Sequence, residues 1–195
     1  MKKLPRSFYT RSALLVVKDL LGKILVRKIG KTILSGKIVE VEAYLGVKDP
    51  ASHAYRGKTK RNEVMFREGG YLYVYFTYGM HFCANIVTGK QGVGEAVLIR
   101  ALEPVIGIEV MKRNRGFPKS VGVTQTLTNG PAKLCQALGI GRKDNGTDLV
   151  GDEIYLTEEE SIHNPDIGTS TRIGISRGKE KKWRFFVRGS KWVSK

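Results

Sequence analysis

Cysteine is almost absent: Cys83 and Cys135 are the two in 195 residues, and neither belongs to a CxxC pair. A multi-bridge disulfide framework is thereby excluded, and both thiols read as small buried hydrophobes in a reducing compartment. Long apolar runs are missing too. The N-terminal run from Ala13 to Val17 is broken by Lys18 and Asp19, too short for a signal-peptide core or a membrane span. The expectation is a soluble, cytoplasmic protein (nuclear in a eukaryote) with no membrane association. The three histidines, His53, His81 and His163, stand apart, with no HExxH pair or cysteine cluster, so no metal site can be read from spacing. Glycine motifs that cradle phosphates or dinucleotides are absent, and no cofactor is expected. Internal repeats, linkers and low-complexity segments are lacking as well.

Acid is scarce relative to base. Asp and Glu number 18 against 34 Lys and Arg, a net charge of +16. The cations run the length of the chain rather than sitting in a tail. Such a balance selects a polyanionic partner, nucleic acid before an anionic membrane surface; simple solubility is the bland alternative. The length suits one domain spanning residues 1–195 rather than two.

Local patterns indicate runs of strands with helices set aside, an α+β domain. Thr10 or Ser12 can cap a helix bearing Leu14, Val17, Leu20 and Leu21, ended by Gly22. "KILVRKIG" and "KTILSGKIVEVEAYLG" alternate as strands about a Gly30-Lys31 turn. Residues 47–68 form a long polar loop, of the kind that often carries function. Gly89, Gly92 and Gly94 mark a turn before the strand "AVLIRAL", and Pro104 suits the start of a helix running toward Arg113. "GPAKLCQALGI" is a short helix, and the last quarter reads as short strands and turns.

The stretch "YLYVYFTYGMHFCANIV" holds four tyrosines between Tyr71 and Tyr78. A core could use aliphatic residues there without satisfying phenol hydroxyls. As strand, turn and return strand, it sends Leu72, Val74 and Phe76 to a core and Tyr71, Tyr73 and Tyr75 to a cleft or to solvent. Tyr78 stands at the turn, where a ring can enter a base stack; rings on the strand below can stack on an unpaired base. Mutual packing of the rings under a loop is the plainer reading for any one of them. In "KIVEVEAY", Glu40 and Glu42 emerge on one face with Tyr44 and with Ile38 before them, while Val39, Val41 and Ala43 face away. A carboxylate aimed at a polyanion repels it, so acids in such a site suggest a general base, a nucleophile or a metal ligand. The bland alternative is a salt bridge to Arg27, Lys28 or Arg100. His53, in "ASHAYRG", is on spacing alone a solvated loop residue.

Taken in order, "IVEVEAYLG", His53, "YLYVYFTYGM", "VLIRALEP", "NGPAKLCQAL" and "RFFVRGS" resemble the alkyladenine (3-methyladenine) DNA glycosylase family, vertebrate-type, from about Leu14 to Ser194. The resemblance implies a curved, mainly antiparallel sheet with flanking helices and a protruding hairpin. It implies hydrolysis of the N-glycosidic bond of alkylated or deaminated purines in duplex DNA, by a monomer. Glu42 would be the general base, with Arg100 and the main chain near Ile173 holding the attacking water. Tyr44, His53 and Tyr75 would enclose the flipped base, Asn85 would discriminate against normal guanine, and Leu98 would line the site. Tyr78 would intercalate, supported by Met80. His81 stands where the vertebrate members carry Tyr, and the loop between His53 and Met65 is one residue shorter. No lysine suggests Schiff-base chemistry, so base removal without strand cleavage is expected. The rivals are a non-catalytic nucleic-acid-binding module using tyrosine stacking and a metal-dependent nuclease using Glu40 and Glu42.

Overall fold

Alternating valine, isoleucine and glutamate make Thr32–Leu45 the longest strand, β2, and the rest of the molecule is arranged about it. In the computed structural model, which describes residues 2–118, 120–159 and 162–194, β2 follows β1 (Ile24–Ile29) across a tight turn whose Gly30 has φ +56°. Left-handed backbone of this kind is where glycine is favoured. The other strands are β3 (Leu72–Thr77), β4 (His81–Thr88), β5 (Glu95–Ile106), β6 (Ile154–Thr157), β7 (Ile167–Ser170) and β8 (Arg184–Val187). The sheet runs β3-β4-β5-β2-β1-β6, with antiparallel pairing throughout this order; β8 joins β2 at Glu40–Glu42, and β7 pairs with β8. The α+β architecture expected from the sequence is the one observed.

The pleat sorts each strand into two faces. Val41, Ala43, Leu72, Val74, Ala84, Ile86, Val97 and Ile99 turn to one side and share a core with Val16, Val17, Leu134 and Leu138. Those last four lie on α2 (Ala13–Asp19) and α4 (Pro131–Leu138). Two further helices, α1 (Arg6–Tyr9) and α3 (Ile108–Asn114), flank them. The opposite face carries a smaller cluster, Ala54, Val64, Met65, Tyr73, Val87 and Ala96, beneath the long loop. Among the described residues no helix is long and apolar enough to cross a membrane.

Register shifts of β2 against β5 decide where the site lies. Ile38 faces Leu102, Glu40 faces Ala101 and Val41 faces Ile99. Val39 is therefore an extra residue on β2, and Arg100 is left unpaired on β5. Bulges bend a sheet and re-aim side chains. The first shift turns Ile38 into the helix-side core with Val39, not alongside the glutamates as strict alternation suggests. The second frees Arg100 to meet both carboxylates.

Three other expectations are corrected. Pro104 lies within β5, opposite Gly36 at another register shift, where the missing proline N–H costs no ladder bond. Phe76 is 40% exposed, because the hairpin projects past the point where the core ends. Ser12 precedes α2 without a side-chain cap, and the Ala13 N–H donates instead to Glu95 Oε2 at 2.8 Å. Cys83 and Cys135 are free and buried, as the sequence suggested.

Candidate active site

The non-helical face of the sheet opens into a cavity of about 420 Å³. Its floor is set by alternation. Tyr73 and Tyr75 of β3 face Asn85 and Cys83 of β4 in register, and Leu98 of β5 lies opposite Asn85. Loop residues Pro50, Ala51 and His53 form one wall, and residues 173–176 form another. Tyr44, His53, Tyr75, Asn85, Leu98, Arg100 and Ile173 thus line one cavity, with Tyr78 also contributing to its lining. Met80 does not line it and stands 70% exposed beyond the turn.

Glu42 lies directly behind the wall. Its side chain is fully buried. Oε1 accepts from the Ile173 N–H at 2.8 Å and pairs with Arg100 Nη1 at 3.1 Å; Oε2 accepts from the Tyr44 hydroxyl at 2.8 Å. All three neighbours line the cavity, so the carboxylate is one side-chain layer from it, with the phenol on the oxygen it would offer to water. Glu40 has a different role. It accepts from Arg100 Nε at 2.9 Å, Arg184 Nε at 2.6 Å, the Ser194 N–H at 2.6 Å and Ser194 Oγ at 2.8 Å. Two buried carboxylates against two guanidinium groups balance charge, as a low-dielectric site requires. Burial works against the charge of Arg100, but Glu42 and Glu40 outweigh it and hold the group above its ordinary value. Of the salt-bridge partners considered, Arg100 serves both acids, while Arg27 pairs with Asp144.

The aromatic wall is interlocked. His53 Nδ1 lies 3.0 Å from the Tyr73 hydroxyl, and its ring meets Tyr75 edge-on at 4.5 Å. Tyr73 and Tyr75 stack with centroids 5.7 Å apart. Partial burial, helped by Arg61, lowers the His53 pKa, favouring the neutral ring. Burial pushes Tyr73 up to about 12 and raises Tyr75, the latter also through Cys83. Tyr44 is raised by burial and then by Glu42. The cavity therefore presents neutral, electron-rich phenol faces. Asn62 Nδ2 fastens the His53 loop by donating to His53 O at 2.8 Å and Gly57 O at 3.0 Å. Asn85 donates to Tyr73 O at 3.3 Å.

Sequence reasoning missed three residues here. Tyr73, read as outward-facing but not named among the site residues, lines the cavity and is 1% exposed; its phase with Tyr75 was the available signal. Tyr71 faces elsewhere, between the guanidinium groups of Arg6 and Arg67. Arg172 and Asp49, also missed, form a buried bidentate pair, Nη2 to Oδ1 being 2.8 Å. Arg172 also donates to Ala43 O at 3.0 Å and lies near the rings of Tyr44 and Trp183. It joins the Ile173 wall to the Pro50 wall. No local pattern announces a partner 123 residues away.

At the tip, Tyr78 has φ +51°, the one non-glycine residue with positive φ among those described, and is 83% exposed. A bulky residue in left-handed backbone is strained, and here the strain displays a ring.

A family model for methylpurine-DNA glycosylase matches residues 7–191. A "Putative 3-methyladenine DNA glycosylase" of Carboxydothermus hydrogenoformans is 55% identical over 193 residues, covering 98% of each chain. Proteins of the same name from Clostridium novyi and Chlorobaculum tepidum are 49% and 47% identical, covering 100% of this chain and 100% and 92% of their own. These relatives are bacterial, which leaves the vertebrate-type part of the resemblance unsupported.

Proposed function

This chain belongs to the methylpurine-DNA glycosylase family, and we propose that it excises alkylated purines such as 3-methyladenine from duplex DNA, as a monomer, leaving the strand uncut. It is a hydrolase acting on DNA. Deaminated purines form a second, slower substrate class in this reading.

A base inside a duplex must leave the stack before its glycosidic bond can be reached, at a cost of a few kcal/mol. Tyr78 fills the gap as a wedge with Met80 beside it, and the everted purine enters between Tyr44, His53 and Tyr75. Methylated purines carry positive charge, which neutral phenol faces favour by a cation–π contribution. Breaking the C1′–N bond sends the bonding pair to the base. A cationic base departs neutral, whereas a neutral purine first needs a proton. The sugar becomes oxocarbenium-like, and the Glu42 charge stabilises it. Water then adds its oxygen to C1′ and its proton to Glu42. The Ile173 N–H, donated to Glu42, holds the carboxylate, and Arg100 orients both the carboxylate and that water. Asn85 reads the purine edge and disfavours the exocyclic amine of guanine.

The single observation that carries this reading is the Glu42 carboxylate, held by Arg100 and the Ile173 amide directly behind an aromatic cavity. Two free buried cysteines suit a reducing compartment such as the cytoplasm, where the protein would meet DNA. The test is release of free base from methylated duplex DNA by the purified protein. Wild type should liberate 3-methyladenine, and Glu42→Gln should abolish release while still binding DNA. Equal release by both proteins, or nicked backbone in place of free base, would overturn the assignment.

A further inference from the structure

Phe76 and Phe82 face one another on the side of the β3–β4 hairpin turned away from the cavity. Their rings are 5.1 Å apart and tilted by 48°, and Phe76 is 40% exposed. They line a recess of about 570 Å³ walled by Lys60, Arg61, Arg142 and Asn145. No carboxylate lines it, and Lys60, Arg61 and Arg142 form no ion pair among the described residues. Asp144, the acid nearest in sequence to Arg142, is buried against Arg27 at 2.8 Å. Arg142 holds its guanidinium 5.8 Å from the Phe76 ring, and Arg61 spends one N–H on a long 3.4 Å bond to Phe76 O. Asn145 is occupied, accepting from the Val74 N–H at 3.0 Å. The recess thus offers an open ring and three cations with unspent donors. It shares Tyr75 with the cavity.

We propose that this recess binds a second, unpaired nucleotide, its base against Phe76 and its phosphate between Arg142 and the Lys60–Arg61 pair. The inference rests on the DNA-directed reading above. Stacking on a side-chain ring tolerates any base, and cations flanking the ring suit the phosphate that accompanies it. A purely apolar partner would leave three cations unused, and a simple anion would leave the ring unused. The geometry also fits the wedge. A hairpin that enters a duplex by its tip and takes one nucleotide on its cavity face leaves the nucleotide opposite it without a partner, free to meet the other face of the hairpin. The hairpin then grips the parted strands from both sides.

Binding of an undamaged single-stranded oligonucleotide and of matched duplex, measured by anisotropy at fixed salt, tests this. Phe76→Ala should weaken single-strand binding about 5-fold or more and change duplex binding less than about 2-fold; Phe76→Trp should restore it. Arg142→Ala should reduce the single-strand salt slope by about 0.7, the share of one phosphate. Equal losses on both DNAs, or none on either, would overturn the recess, as would polyglutamate displacing the strand equally well from wild type and Phe76→Ala. Both residues lie outside the cavity, so their variants should still release 3-methyladenine, but more slowly from duplex, where the parted strands lose one grip. If wild type releases no base, the function fails; if release is normal and single-strand binding ignores Phe76, only the recess fails.

Discussion

Glu40 and Glu42 leave one strand face two residues apart, yet their surroundings separate them. Glu40 gathers two guanidinium groups and both donors of Ser194. Glu40→Gln leaves positive charge buried without its counter-ion, a loss typically costing about 3–5 kcal/mol; denaturant titration should show a lower midpoint. Glu42→Gln removes a single ion pair, to an Arg100 that keeps Glu40, and should cost less stability. Tyr44 presents a sharper case. Its hydroxyl occupies Glu42 Oε2 at 2.8 Å, the oxygen that an attacking water would use. Tyr44→Phe keeps the ring and frees the oxygen, so single-turnover release should equal or exceed wild type. A large fall in that rate would mean that the phenol assists the carboxylate rather than covering it.

At the scale of elements, the hairpin and the two cavity loops behave differently. The β3–β4 hairpin places Tyr78 in left-handed backbone that asparagine or glycine tolerates better. Tyr78→Asn should therefore leave the melting temperature unchanged or raise it. It should weaken excision from duplex more than excision of the same lesion in a single strand. Equal losses on both substrates would remove the wedge role. The loops depend on the Asp49–Arg172 brace. Burial works to raise the Asp49 pKa, but hydrogen bonds from Arg172 and from backbone amides outweigh it, and the net shift is downward from 3.8. With the folded value below the unfolded one, the brace stabilises the fold fully above about pH 4, and that contribution is lost as pH falls through the depressed value. Acid titration of stability should show this loss in wild type and a smaller one in Asp49→Asn, which starts from lower stability.

For the whole molecule, the excess of cations acts through placement. Arg56, Arg61 and Arg177 surround a second recess, distinct from that at Phe76 and next to His53, and none forms an ion pair among the described residues. If each meets one phosphate, duplex affinity should fall with a slope of about −2.7 against log salt, roughly 40-fold between about 50 and 200 mM. The basic stretch "MKRNRGFPK", residues 111–119, would be a further place for phosphate contacts. Lys112 within it is instead paired with Glu109 at 3.0 Å, and Lys119 lies outside the described residues. A measured slope near zero would mean that the net charge serves solubility rather than binding.

Strand phase, turn positions and capping glycines follow from backbone geometry over a few residues, which is why much of this protein could be read directly from its chain. The tyrosine hairpin, the shared face of Glu40, Glu42 and Tyr44, and the helix between Pro131 and Gly139 are local facts of that kind. Three register shifts of β2 against β5 escaped because a register shift belongs to a pair of strands and neither carries it alone. Ile38, Arg100 and Pro104 took their positions from those shifts. The division of labour between the acids was decided later still, by Ser194 lying 154 residues from Glu40 and the Ile173 N–H lying 131 from Glu42. A buried charge takes whichever partner the fold brings to it, and only the assembled sheet shows which carboxylate is locked into the frame and which is set behind the cavity.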